Sequence, residues 1–206
     1  MSATLGIILI TAVVSVWAFN DARIFTLLLF EPFVIRARKE YFRFVTHAFV
    51  HANWPHLFVN MFVLYAFGRS VEVLFGSISG LPPTAVYLTL YFSAMIVASV
   101  PGYLRHMRDP NYRSVGASGA VSAILFAHIL MMPTRPIYLF LLPVPIPSVL
   151  FGALYLGYEW YMDRRGGDGV AHDAHFFGAV YGVLFTALLQ PDLLLHFGRF
   201  ENLLGI

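Results

Sequence analysis

The sequence predicts an all-α, polytopic membrane protein folded as a bundle of six transmembrane helices. Apolar residues make up 59% of the 206-residue chain and charged residues 12%, which is about half the charged share of a soluble domain. The mean hydropathy is +0.73. Six stretches approach the length of a membrane-spanning helix: residues 2–19, 54–76, 83–104, 117–132, 147–162 and 172–190. No internal repeat is present, so we expect one integral-membrane domain over residues 1–206.

The connections between these stretches carry the helix-breaking residues. Residues 2–19 lack a preceding basic segment, so we interpret them as a retained span, with a cleaved signal peptide as the alternative. Glycine and proline separate the second span from the third between Gly76 and Pro83, and prolines separate the fourth from the fifth between Pro133 and Pro147. Residues 20–53 contain a short apolar stretch followed by a basic cluster, and we expect them to lie in the membrane interface.

Composition also excludes several functions. The net charge is only +2, and no basic stripe alternates with aromatic residues, so we expect membrane lipids and no nucleic acid as partners. The chain has no cysteine, which excludes disulfides, thiol catalysis and thiolate metal sites. We expect neither a cofactor nor a bound metal.

A serine stands at the head of the fourth apolar stretch. Ser118 lies in Gly116-Ala117-Ser118-Gly119, and the helix from there to Pro133 is roughly 22 Å long, whereas a hydrocarbon core is about 30 Å thick. We therefore expect Ser118 below the membrane surface, at a helix N-terminus whose free N–H groups favour a developing oxyanion. The alternative is an N-cap serine within a small-residue packing motif.

Two other stretches place polar side chains on a single helix face. His56 and Asn60 are four residues apart and can both donate hydrogen bonds, although such a pair also joins helices without any catalytic role. His175, Gly178 and Gly182 follow one stripe, along which another backbone can approach closely.

Together these residues supply the parts of nucleophilic acyl transfer, a hydroxyl and an imidazole. His175 is the candidate base, while His172 lies off the stripe and is interpreted as a polar anchor near the interface. Asp173 is two residues from His175 and points elsewhere on a helix. Since no other carboxylate is obviously placed to orient His175, we predict a Ser118–His175 dyad rather than a triad.

Three motifs resemble the rhomboid family of intramembrane serine proteases. They are Thr46-His47-Ala48-Phe49-Val50-His51 continuing to His56-Leu57-Phe58-Val59-Asn60, Gly116-Ala117-Ser118-Gly119, and Ala174-His175-Phe176-Phe177-Gly178. Their order and separation agree with the family as well. The resemblance implies that Ser118 is the nucleophile, that His175 is the general base, and that His56, Asn60 and the Ser118 N–H form the oxyanion hole.

The resemblance also covers supporting residues. Residues 20–53 resemble a half-submerged first loop, and residues 163–171 a cap loop over the site. Structural support is expected from Arg43, Glu72, Gly116, Gly119 and Gly178. Two positions depart from the family: Ser122 replaces a frequent aromatic residue that supports the histidine, and Phe42 replaces a tryptophan before the first-loop arginine.

The sequence gives two conflicting indications of membrane orientation, one from the distribution of Lys and Arg residues and one from the family resemblance. With six spans, ten of the 13 Lys and Arg residues lie on the active-site side, which the positive-inside rule makes cytoplasmic. The resemblance implies the reverse, an active site that opens to the extracytoplasmic side of a bacterial inner or plasma membrane. We adopt the second orientation, because arginines folded into the headgroup region serve structure rather than topology.

The leading hypothesis is an intramembrane serine endopeptidase that cleaves transmembrane-helix substrates near the membrane surface. One alternative is a non-catalytic relative that binds membrane helices in the same groove. A less favoured alternative is a metal site or transporter built from histidines: His47, His51, His56, His172 and His175.

Overall fold

The computed structural model describes residues 2–139 and 142–198 and is mostly helical, as predicted. Its α-helices are α1 (Ala3–Asn20), α2 (Ala22–Leu28), α3 (Pro32–Arg38), α4 (Arg43–Thr46), α5 (Trp54–Ile78), α6 (Pro83–His106), α7 (Ser118–Met131), α8 (Ser148–Arg165), α9 (His172–Leu189) and α10 (Asp192–Gly198). A 3₁₀ turn, His47–Phe49, follows α4. Strands β1 (Pro136–Leu139) and β2 (Leu142–Pro147) pair antiparallel where only a proline-rich break was predicted.

Three helices in the described part of the chain, α1, α5 and α6, are long and apolar enough to cross a membrane. The protein is therefore a multi-pass membrane protein. Helix α7 is apolar but only 14 residues long, close to the short helix expected after Ser118. Helices α8 and α9 have 18 residues each and carry charged or polar residues at one end, so the count of six crossings stays a prediction. Because α8 extends to Arg165, the connection between α8 and α9 comprises residues 166–171, and we use the name cap loop for it after the loop expected over residues 163–171.

Arg43 stabilises the first loop, residues 20–53, through contacts made inside the loop. Its side chain is buried, and its guanidinium donates to the carbonyls of Thr26 at 2.9 Å and Leu29 at 2.7 Å. It also pairs with Glu40 at 2.7 Å and Glu31 at 3.5 Å. Because one guanidinium satisfies carbonyls that α2 leaves unpaired, it holds the loop as a compact unit.

Glu72 has a comparable position at the opposite end of the bundle. This buried carboxylate of α5 accepts hydrogen bonds from the Ala3 N–H at 3.2 Å, the Thr4 hydroxyl at 3.3 Å and the Thr84 hydroxyl at 2.9 Å. It thereby links α1, α5 and α6. These donors offset the cost of burying a carboxylate.

Helix α7 is the centre of the bundle and packs directly against α9. Every residue of α7 from Gly119 to Leu130 is buried. A Cβ added at Gly178 would lie 2.1 Å from the Gly119 carbonyl oxygen, and one added at Gly182 would lie 2.1 Å from the Ala123 carbonyl oxygen. The predicted glycine stripe therefore does bring the backbone of α9 onto that of α7, since any side chain there would clash.

We expect substitution of Gly178 by valine to destabilise the protein by more than the ~1–3 kcal/mol typical of an overpacked core, because backbone must shift rather than a side chain. Thermal unfolding in detergent measures the effect. Gly157→Val in α8 is the matched control, since a Cβ at Gly157 meets nothing within 4 Å. Equal unfolding temperatures for the two variants would contradict the close contact of α7 and α9.

Candidate active site

Ser118 begins α7 and lies against an imidazole from α9. Its Oγ is 2.7 Å from Nε2 of His175. The preceding turn depends on Gly116, which has φ +112° and leaves room for the His56 ring, since a Cβ there would be 2.6 Å from that ring. The sequence-predicted serine and histidine are thus brought together at the N-terminal ends of two helices in direct backbone contact.

His175 has a second partner that sequence reasoning missed. Its Nδ1 lies 3.2 Å from Oε1 of Glu159, a buried residue of α8. The expectation that no carboxylate reaches His175 is wrong. A carboxylate accepts hydrogen bonds and cannot donate when ionised, so the proton of a neutral His175 resides on Nδ1. The lone pair of Nε2 then faces the Ser118 hydroxyl, which is the arrangement a general base requires.

His172 also differs from its prediction as an interfacial anchor. It is only 4% exposed, with Nδ1 2.5 Å from Oε2 of Glu159 and Nε2 2.8 Å from Oδ2 of Asp168 in the cap loop. A continuous line of hydrogen bonds therefore runs from Asp168 through His172, Glu159 and His175 to Ser118. The hydrogen bond from His172 lowers the pKa of Asp168.

The two residues proposed for the oxyanion hole both lie on α5. The His56 ring adjoins Gly116, and the Ala52 N–H contacts its Nδ1 at 3.5 Å. The Asn60 amide donates to the His56 carbonyl at 2.9 Å. Since an amide has two N–H donors, this bond leaves Asn60 with a second one.

His51 supports the turn before Ser118. The Ala117 N–H donates to Nε2 of this buried ring at 3.4 Å, and Nδ1 lies 2.9 Å from the Ser15 hydroxyl. Because Nε2 accepts, Nδ1 must carry the proton and donate to Ser15, whose own hydroxyl donates to the Phe49 carbonyl at 2.9 Å. Burial lowers the pKa of His51 to about 3, with His56 and His47 contributing further.

Donors suited to a metal are grouped differently from the prediction. In the described residues, Glu159, His172 and His175 each place a ligand atom within 4.8 Å of the others, while His51 packs against His56 with ring centroids 5.0 Å apart. A carboxylate with two imidazoles is a donor set that zinc accepts. The hydrogen bonds at 2.5 Å and 3.2 Å already satisfy these atoms as a network.

The departure at Ser122 is explained by α8. The Ser122 hydroxyl is 2.8 Å from the hydroxyl of Tyr155, one turn of helix before Glu159. Residue 122 thus contacts α8 instead of supporting His175, and Glu159 supplies the support. The second departure, Phe42, packs its ring over the Arg43 guanidinium at 5.6 Å.

Two spaces adjoin the site. A cavity of about 20 Å³ lies behind the turn that precedes Ser118, bordered by Ser99, Ser114 and Asp173, and it has room for about one water. A larger groove of about 440 Å³ lies between the cap loop and the α6–α7 connection and reaches His172.

Comparison with known proteins agrees with this architecture. A family model described as Rhomboid domain matches residues 38–192. RHOMBOID-like protein 12, mitochondrial, of Arabidopsis thaliana is 29% identical over 76% of this chain and 47% of its own length. Rhomboid-related protein 1 of Caenorhabditis elegans is 30% identical over 84% of this chain and 46% of its own length. Rhomboid-like protein 11, chloroplastic, of A. thaliana is 32% identical over 73% of this chain and 53% of its own length.

A multi-pass helical bundle with its polar site at the ends of α5, α7 and α9 defines an integral-membrane protein with a rhomboid fold. The chain belongs to the rhomboid family. It spans about half the length of the relatives it matches. The names of the two plant relatives refer to mitochondria and chloroplasts, so these relatives give no support to the expected bacterial membrane.

We expect the stability of the fold to decrease as pH falls from about 6.5 toward 3. The folded-state pKa of His51 is lowered from 6.5 to about 3, so in this window the unfolded chain binds a proton that the folded chain does not. Unfolding temperature in detergent between pH 7 and pH 4.5 measures this. His51→Asn lowers the unfolding temperature at pH 7 but reduces its dependence on pH. An unchanged pH dependence in this variant excludes His51 as the source.

Proposed function

We propose that the protein is an intramembrane serine endopeptidase, with Ser118 as the nucleophile and His175 as the general base. The observation that carries this proposal is the 2.7 Å distance between Ser118 Oγ and His175 Nε2. A hydroxyl within hydrogen-bond reach of a base that is itself oriented by a third group is the signature of an activated nucleophile.

The reaction would proceed through an acyl-enzyme. Ser118 Oγ attacks the scissile carbonyl carbon while Nε2 of His175 takes the hydroxyl proton. The same imidazole then gives that proton to the departing amide nitrogen as the C–N bond breaks. A water molecule, deprotonated by His175, then attacks the ester carbonyl carbon and forms a second tetrahedral intermediate. When this intermediate collapses, the bond to Ser118 Oγ breaks and His175 returns the proton to Ser118.

Charge develops on the carbonyl oxygen in both tetrahedral intermediates. The N-terminus of α7 supplies the Ser118 N–H and the positive end of the helix dipole. His56 borders the same turn and Asn60 retains a donor, so both are proposed as further oxyanion donors. Gly116 is required next to them because a side chain would displace the His56 ring.

The proposed substrates are transmembrane helices. A membrane helix hides its carbonyls in internal hydrogen bonds, so the segment must unwind locally before Ser118 can reach one. We expect helix-breaking or small residues near the cleaved bond, and cleavage near the membrane surface where α5, α7 and α9 begin.

Ser118→Ala and His175→Ala are each expected to reduce cleavage of a model transmembrane substrate in proteoliposomes by about 10³-fold or more, because each removes a group that acts at the reacting atoms. Ser122→Ala is the matched control on the same helix and should retain activity. A fluorophosphonate should label the wild type and Ser122→Ala only. Full cleavage by Ser118→Ala would refute the mechanism, and an unreactive wild type would favour a non-catalytic helix binder.

We further expect the cap loop to face the side of the membrane opposite the termini, and that side to be extracytoplasmic. The chain has no cysteine, so single cysteines report accessibility without background. Val170 in the cap loop is 47% exposed and Leu81 in the α5–α6 connection is 55% exposed. Val170→Cys should react with an impermeant maleimide in intact cells, and Leu81→Cys only after permeabilisation. The reverse pattern would show that the arginine count sets the orientation.

A further inference from the structure

We propose that Glu159 and His172 form a positioning pair that fixes the tautomer and basicity of His175 and connects it to the cap loop through Asp168. This role rests on the proposed function, since His175 is the base of that reaction. The reacting pair thereby becomes part of a hydrogen-bonded line of five side chains, in which Glu159 lies between two imidazoles.

The first step concerns the orientation of His175. Oε1 of Glu159 lies on the Nδ1 side of the ring and Ser118 Oγ on the Nε2 side. As Ser118 loses its proton to Nε2, the imidazole becomes a cation with N–H groups at both nitrogens. Glu159 is then a buried anion in contact with that cation, which stabilises it in surroundings of low dielectric.

The second step concerns the charge on His172. Both of its ring nitrogens lie within 2.8 Å of a carboxylate oxygen. A neutral imidazole has one donor and one acceptor, while the imidazolium has two donors. With two ionised carboxylates as partners, His172 is a cation, and it neutralises part of the Glu159 charge that His175 would otherwise feel.

The groups facing this pair include the hydroxyl of Tyr155 in α8, which hydrogen-bonds to Glu159. The Tyr158 ring of α8 meets the His172 ring edge-on with centroids 5.9 Å apart, and the His172 and His175 rings are 6.0 Å apart. Ser118 faces His175 from α7, and His56 faces it from α5. Among the described residues, Glu159 and Asp168 are the carboxylates hydrogen-bonded within this line, so the two charges opposing each other at His175 are those of Glu159 and His172.

The third step connects the pair to the cap loop. Asp168 accepts from His172 and from the Val170 N–H at 3.1 Å. It is flanked by glycines with positive φ, +94° at Gly167 and +76° at Gly169, a conformation that other residues rarely adopt. The loop is thus shaped to place one carboxylate on His172, and its displacement would release one partner of the cation.

The test is the pH dependence of fluorophosphonate labelling of the full chain in detergent. Glu159→Gln keeps the shape but removes the anion, so we expect labelling to slow by about 10²- to 10⁴-fold. The acid limb of the pH profile, which reports the protonation of His175, should move to lower pH by about one unit. His172→Gln can still donate to Glu159 but removes the cation, so the acid limb should move to higher pH. Asp163→Asn, which loses an ion pair to Arg105 at 2.6 Å near the same loop, should leave the midpoint unchanged.

Opposite shifts distinguish positioning from a structural defect, because a loss of folded protein lowers the amplitude without moving the midpoint. If Glu159→Gln does not fold, the upward shift in His172→Gln tests the pair alone. Unchanged midpoints, or shifts of the same sign, overturn the proposal. If the shifts disappear in chelator, the three side chains act as a metal site and the proposal is equally overturned. Labelling of Ser118→Ala would instead refute the proposed function.

Discussion

The direct backbone contact of α7 and α9 is the constraint on which the site depends. Gly178 and Gly182 leave no side chain between the two helices, and a Cβ at either would lie 2.1 Å from a carbonyl oxygen of α7. Because the two backbones are in contact, Ser118, the first residue of α7, and His175, the fourth residue of α9, reach each other without long side chains. The Ser118–His175 hydrogen bond is therefore set by helix packing rather than by a flexible loop. Rigid elements of this kind hold reacting groups more accurately than loops do.

The second constraint is electrostatic. Glu159 is buried in a part of the protein where an isolated carboxylate would be costly, and it is tolerated because two imidazoles satisfy its oxygens. His51 is also buried beside the site, but it stays neutral, and both of its ring nitrogens are hydrogen-bonded. His51 is thus neutral next to the turn that precedes Ser118, whereas His172, beside His175, has the partners that favour an imidazolium. The difference comes from their partners, a backbone N–H and a hydroxyl in one case and two carboxylates in the other.

Much of this arrangement could be predicted from the sequence, because it depends on local signals. The all-helical class followed from composition, the break before Ser118 from the small-residue turn, and the approach of α9 to α7 from the glycine stripe. Glu159 could not be found in that way. It is 16 residues before His175, on a different helix and across a turn that no local period spans, so its contact depends on how α8 rotates against α9. The weak signal was a carboxylate inside a predicted span, where charge is expensive and usually functional.

Polar and charged residues in α8 and α9 explain why, among the described helices, length and composition identify only three that could span a membrane. Helix α8 carries Glu159 and a charged last turn, and α9 opens with His172, Asp173 and His175. These residues lower the hydropathy of the two helices at the end where they meet Ser118. Helix α7, with 14 residues, is too short to be counted among those three. Ser118 and His175 therefore lie on helices that do not qualify as membrane spans by length and composition, whereas α1, which contributes no side chain to the hydrogen-bonded line, is the most hydrophobic of the three candidates.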